Sequence, residues 1–184
     1  MTATQISRNA RVWKLTFTAL FLALALVLPF LTGQIPTIGS MLSPMHLPAM
    51  LCGFVCGWPW GMAVGFISPI LRSLIFGMPP MFPVATAMAF EMAAYGFVCG
   101  LLSQKLPAFR GRLYVTLISA MVAGRVVWGL VRFVLAGLSS TTFSLQMFMA
   151  GAVLNAVPAL VLQLVVIPPL VLLMTKAGLN LNQK

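Results

Sequence analysis

The chain has 184 residues, of which 61% are hydrophobic and only 7% charged. No soluble domain of this size can hide that much apolar surface, so lipid must be the solvent along most of its length. Eleven Lys and Arg stand against one acidic residue, for a net charge of +10, but they sit in short loops beside apolar runs, as topology signals do. They do not cluster as a phosphate-binding face requires, which speaks against nucleic acid as a partner.

Six spans are expected in chain order within a single membrane domain, residues 1–184. The first runs from about Trp13 to Leu31, a spanning helix rather than a cleaved leader, because further apolar runs follow it. The second, about Met45 to Gly57, is short for a bilayer and is expected to tilt or re-enter. The third covers Trp60 to Phe76, the fourth Pro83 to Ser103, the fifth Leu113 to Leu138 and the sixth Leu145 to Thr175. Proline and glycine punctuate the joins at Gly33 and Pro36, Pro44, Pro59, and Gly77 to Pro80. Pro158, Pro168 and Pro169 should bend the sixth span.

Arg8, Arg11 and Lys14 precede the first span, Lys105, Arg110 and Arg112 follow the fourth, and Lys176 and Lys184 follow the sixth. The loops after the first, third and fifth spans carry no charge. Both termini are therefore expected on the cytoplasmic side of an all-α bundle of six transmembrane helices.

The remaining charges, Arg72, Glu91, Arg125 and Arg132, lie within apolar spans. An ionisable residue in hydrocarbon is costly and marks a site by default, facing a bundle interior or a wet cavity and a partner. At 1.5 Å of rise per residue, Glu91 falls about 12 Å below the outer end of its span, and Arg125, Arg132 and Arg72 about 20, 9 and 6 Å below theirs. Asn155 falls about 15 Å below Leu145. Arg125 and Arg132 are seven residues apart and share a helix face, with Trp128 between them offering a flat wall and one N–H.

The bland reading is a structural network in which Glu91 pairs with one arginine and the others snorkel outward. The sharper one is an outward-facing cavity whose excess guanidinium is balanced by an anionic ligand. His46, at the outer mouth of the second span, is a candidate ligand contact or a structural group. Gln34, Thr37, Ser40 and Ser43 in the first outer loop, and Ser139 to Thr142 in the third, either close over a pocket or are solvated loops.

Gly53, Gly57, Gly61 and Gly65 recur every four residues, as do Gly96 and Gly100, and read as tight packing of the second and third spans. Ala19 and Ala23 make a small face on the first span, suited to docking a partner helix or to packing within the bundle. Cys52, Cys56 and Cys99 read as buried packing residues, since one histidine cannot complete a metal site. There is no nucleotide-binding P-loop, no catalytic triad and no paired carboxylate, so neither an enzyme nor a cofactor is indicated.

Several stretches together carry a resemblance: Ala19-x-x-x-Ala23, Ser43-Pro-Met-His-Leu-Pro48, Gly77-Met-Pro-Pro80 running into Ala89-Phe-Glu-Met-Ala93 with Tyr95-Gly96, and Asn155-Ala-Val-Pro158. In order and spacing the chain resembles the substrate-binding S components of energy-coupling-factor (ECF) vitamin transporters. The resemblance implies an S-component-like bundle in a bacterial plasma membrane that captures a small vitamin outside with spans four to six and the outer loops. It implies docking through the first span onto a transmembrane coupling protein driven by two ATPases, followed by toppling and release inside. Glu91, Arg125, Trp128 and Asn155 then map to the binding half, and Ala19 and Ala23 to the docking face. The arginine excess favours an anionic vitamin such as pantothenate, with a vitamin B6-type compound next and a corrinoid a distant third. Two other classes remain open, a homo-oligomeric channel or autonomous secondary carrier, and a structural subunit of a larger complex. A channel would need polar residues along its whole depth, whereas here they stop at mid-membrane.

Overall fold

In the computed structural model the described residues are 3–32, 44–107, 109, 111–138 and 157–179. They form six α-helices and no strand. Helix α1 (Ala3–Val27) begins more than two turns before Trp13, because neither glycine nor proline interrupts the chain from Ala3 to Val27. It tightens into a 3₁₀ turn at Leu28–Thr32, around Pro29. Helices α2 (His46–Cys56), α3 (Trp58–Phe76), α4 (Thr86–Lys105), α5 (Arg112–Leu138) and α6 (Val157–Lys176) follow. Of the expected sixth span, residues 145–156 lie outside the described residues.

Among the described residues, five segments are long and apolar enough to cross a membrane: Arg11–Leu31, Trp58–Phe76, Met81–Lys105, Arg112–Gly137 and Val157–Lys176. Helix α2 is the exception. Its 11 residues rise about 16 Å, half of a hydrocarbon core. Every residue of α2 except Leu47 is buried. A helix that is hydrophobic all round belongs inside a bundle, and α2 is the element that α1, α3, α4 and α6 all pack against. The core is built on it, from Met50, Phe54 and Val55 together with Met92, Leu117 and Ile167. The segment that reads as a marginal span is thus the axis of the fold.

The bundle closes around α2 by glycine. A single residue, Gly57, reverses the chain between α2 and α3, with φ 104° and ψ 171°, a conformation that only glycine adopts without strain. A Cβ at Gly53 or Gly61 would overlap backbone of the neighbouring helices, at Gly65 the backbone of Met92, at Gly96 that of Gly61, and at Gly100 that of Trp58. The glycine spacing therefore does pack α2 against α3, and α4 joins the same contact, antiparallel to α3.

Gly77, with φ 69°, caps the end of α3 by donating its N–H to the Ser73 carbonyl. Helix α4 begins three residues later than expected, at Thr86. Pro83 holds Phe82 out of helical conformation (φ −117°, ψ 133°), and the Thr86 hydroxyl ties the turn by donating to the Met81 carbonyl at 2.9 Å. The outer surfaces are apolar. Val115, Ile118, Val122, Val126, Leu130 and Phe133 form an exposed stripe on α5, and Val161, Val165 and Leu172 are exposed on α6, as lipid-facing helices require.

Candidate functional site

Glu91 lies on α4, only 2% exposed, on the side turned toward α2 and α5. Three side chains converge on one of its carboxylate oxygens, Oε1. Arg125 of α5 brings a guanidinium nitrogen to 3.0 Å. Tyr95, four residues on and on the same face of α4, donates its hydroxyl at 3.0 Å. His46, in the first turn of α2, holds Nε2 at 3.8 Å, within electrostatic range but beyond a hydrogen bond. The expected pairing of the lone acid with an arginine is therefore present, and Arg125 is the partner.

Packing fixes this cluster. The Tyr95 ring is fully buried, edge-on to the His46 ring at 5.3 Å between centroids. On its other side it lies against Gly124, where a Cβ would strike the ring. Gly124 thus lets α5 approach closely enough for Arg125, the next residue, to reach Glu91. His46 is buried, and among the described residues neither of its ring nitrogens has a hydrogen-bond partner.

Further along α5, Trp128 and Arg132 are half-buried. The Arg132 guanidinium carbon lies 5.9 Å from the Trp128 ring centre, at cation–π range. Trp128 and Arg132 thus lie on the same face of α5 as Arg125, as their spacing predicts.

One protein family matches this chain: ECF transporter, substrate-specific component, over residues 13–171. The chain belongs to that family. Nothing matches it among curated proteins or among solved structures. ECF S components are transporter subunits, not enzymes. They bind small substrates and work with a membrane-embedded coupling unit and ATPases. Family and apolar helices together describe a multi-pass membrane protein.

In this S component the other sequence-selected residues separate. Arg72 is not part of the Glu91 cluster. Its guanidinium donates to the Leu26 carbonyl near the end of α1 and lies 4.8 Å from the Phe30 ring centre and 5.2 Å from that of Phe76. It pins α1 to α3, and the expected pool of intramembrane guanidinium near Glu91 shrinks accordingly. Asn155, the first outer loop from Gln34 to Ser43, and Ser139 to Thr142 lie outside the described residues. Ala19 and Ala23 are both exposed on α1, flanked by exposed Leu15, Leu20 and Leu24. Cys52, Cys56 and Cys99 are buried and free, as packing residues.

Two residues escaped the sequence reading. Tyr95 was visible only as part of a motif, yet its place four residues after Glu91 is the signal that a carboxylate would use it. Gln163 of α6 is completely buried, and among the described residues neither its side-chain oxygen nor its nitrogen has a hydrogen-bond partner. It is the only polar side chain between Val157 and Met174. Counting charges could not find it, because an amide carries none.

Proposed function

We propose that this S component captures a small water-soluble vitamin from the outer side of a bacterial plasma membrane and hands it to an ATP-driven coupling module. The observation that carries the reading is the buried Glu91–Arg125 pair with Tyr95 and His46 around one carboxylate oxygen. A buried ion pair is weak as a stabilising device, because desolvation offsets most of its attraction. In a chain that has discarded every other acid, its retention supports a role in ligand capture.

The binding set is Glu91, Arg125, Trp128, Arg132 and His46, with Asn155 added from the family resemblance. Arg72 serves the fold instead, holding α1 against α3. Arg132, extending the Arg125 face over Trp128, supplies the cation that favours an anionic vitamin such as pantothenate over a B6-type compound. Both termini are cytoplasmic, the whole chain is one membrane domain, and the exposed Ala19–Ala23 face of α1 docks the coupling protein, which is driven by two ATPases.

Native mass spectrometry of gently purified protein, followed by a thermal-shift screen against water-soluble vitamins, tests the proposal. A co-purified vitamin, or a rise in melting temperature with one of them, is expected. A stable homo-oligomer without ligand that conducts solutes unaided would overturn it in favour of a channel.

A further inference from the structure

Among the described residues, the buried charges of this bundle have partners, whereas several neutral polar side chains do not. Glu91 receives Arg125 and Tyr95, with only the Arg125 Nε left without a partner, and Arg72 has the Leu26 carbonyl. Lone buried hydroxyls at Ser68 and Thr116 are each a single small group. Gln163 differs in kind. Its carboxamide brings two N–H donors and a carbonyl into a helix interior that is otherwise apolar, and both ends are without a partner at zero exposure. A buried amide left unpaired costs free energy that a leucine of similar size would not.

The orientation of α6 narrows what the amide can meet. The buried residues Ala159, Gln163, Ile167 and Val171 recur every four positions, so they form one stripe. Helix α6 packs on α2 and α5, the two helices that bring His46 and Arg125 to Glu91. Counted from the basic ends of their helices at Lys105, Arg112 and Lys176, residues Glu91, Arg125 and Gln163 each lie about 20 Å in. His46 reaches the same layer through its approach to Glu91 and also has both ring nitrogens unpartnered.

We infer that the Gln163 carboxamide, together with His46, forms a hydrogen-bonding subsite for the transported solute, and that it reads an amide or lactam group. The inference rests on the S-component reading and deepens it. A carboxamide side chain donates to a carbonyl and accepts from an N–H, and the two imidazole nitrogens of His46 add further hydrogen-bonding capacity beside it. An amide is the small neutral group that offers both complements. A purely charged ligand group would leave half of the carboxamide unpaired. The Glu91–Arg125 pair, already internally balanced, sets the electrostatics of the layer, while Gln163 and His46 supply its hydrogen-bond specificity.

The test uses the full-length protein in detergent micelles and isothermal titration with pantothenate, which carries an amide, pantoate, which lacks it, and pyridoxine. Wild-type protein is expected to bind pantothenate more tightly than pantoate. Gln163→Leu should weaken pantothenate about tenfold or more, the cost of lost hydrogen bonds in a closed site, and leave pantoate unchanged. The melting temperature of ligand-free Gln163→Leu should equal or exceed that of wild type, since an unpaired amide is removed. A lower melting temperature with unaltered pantothenate affinity would show a structural amide and overturn the inference. Tight pyridoxine binding that Gln163→Leu does not change would also overturn it, leaving the S-component reading intact. Binding of none of the three would overturn it and remove both leading substrates from the proposed function.

Discussion

Arg125→Ala should be among the most destabilising single changes in this protein, and Glu91→Gln should partly rescue it. In the native bundle the Glu91 carboxylate is 2% exposed and receives the Arg125 guanidinium and the Tyr95 hydroxyl, each at 3.0 Å. Removing Arg125 leaves a buried carboxylate with one neutral hydrogen bond and an imidazole at 3.8 Å. Stranding one member of a buried ion pair costs about 3–5 kcal/mol. Glu91→Gln keeps the shape and retains an oxygen for Tyr95, while the Arg125 side chain, 17% exposed, keeps some access to other partners. Its cost should be about 1–3 kcal/mol, that of a lost charged hydrogen bond. The double variant strands no charge, so it should unfold less readily than Arg125→Ala alone, with a coupling of about 2 kcal/mol between the sites. Equilibrium unfolding of the ligand-free protein in mixed micelles, followed by helical circular dichroism, measures all four corners of the cycle. Additive effects, or an Arg125→Ala variant no weaker than Glu91→Gln, would refute the pairing as the organising contact of the site.

Gly65→Ala should destabilise by about 1–3 kcal/mol, because its Cβ meets the Met92 backbone and no side chain can turn away to relieve it, whereas Gly137→Ala meets nothing and should stabilise α5 by up to about 1 kcal/mol. The same unfolding assay compares the two, and equal effects would refute the close-packing account. Tyr95→Phe removes the hydroxyl from Glu91 Oε1 without opening a cavity, and should cost about 1–2 kcal/mol and lower vitamin affinity, read by unfolding and titration. Arg72→Ala should lower the melting temperature while leaving vitamin affinity within about twofold, since its partners are Leu26, Phe30 and Phe76 rather than the Glu91 cluster. Ala23→Leu, on the exposed face of α1, should abolish uptake by cells carrying the coupling module yet leave binding to the purified protein unchanged; intact uptake would remove α1 as the docking face.

Scarcity made the centre of the site legible. One acid among eleven cations pointed to Glu91, and the seven-residue spacing put Arg125 and Arg132 on one face. The same reasoning could not separate Arg72 from the other arginines, because an intramembrane arginine looks alike in sequence whatever it meets. Its carbonyl partner, Leu26, lies 46 residues away, and no local pattern announces it. The glycine periodicity was readable as close packing, but periodicity cannot say that α4 supplies the third surface. Helix α2 read as a marginal span because its length was compared with a bilayer, whereas its surroundings are other helices. Gln163 was invisible to a search for charge, although its isolation in an apolar run follows the logic that singled out Glu91.

The one-residue elbow at Gly57 bears on how the polypeptide enters the bilayer. Helix α2, about 16 Å long, is too brief to partition as an independent segment. With only Gly57 between them, α2 and α3 are delivered together, doubled back on each other before any later helix has emerged. The pair is then expected to insert as a single hairpin, presenting to α4 the glycine face that α4 packs against. A longer linker at Gly57 should uncouple that delivery and leave α2, buried on all sides in the folded bundle, stranded at the interface.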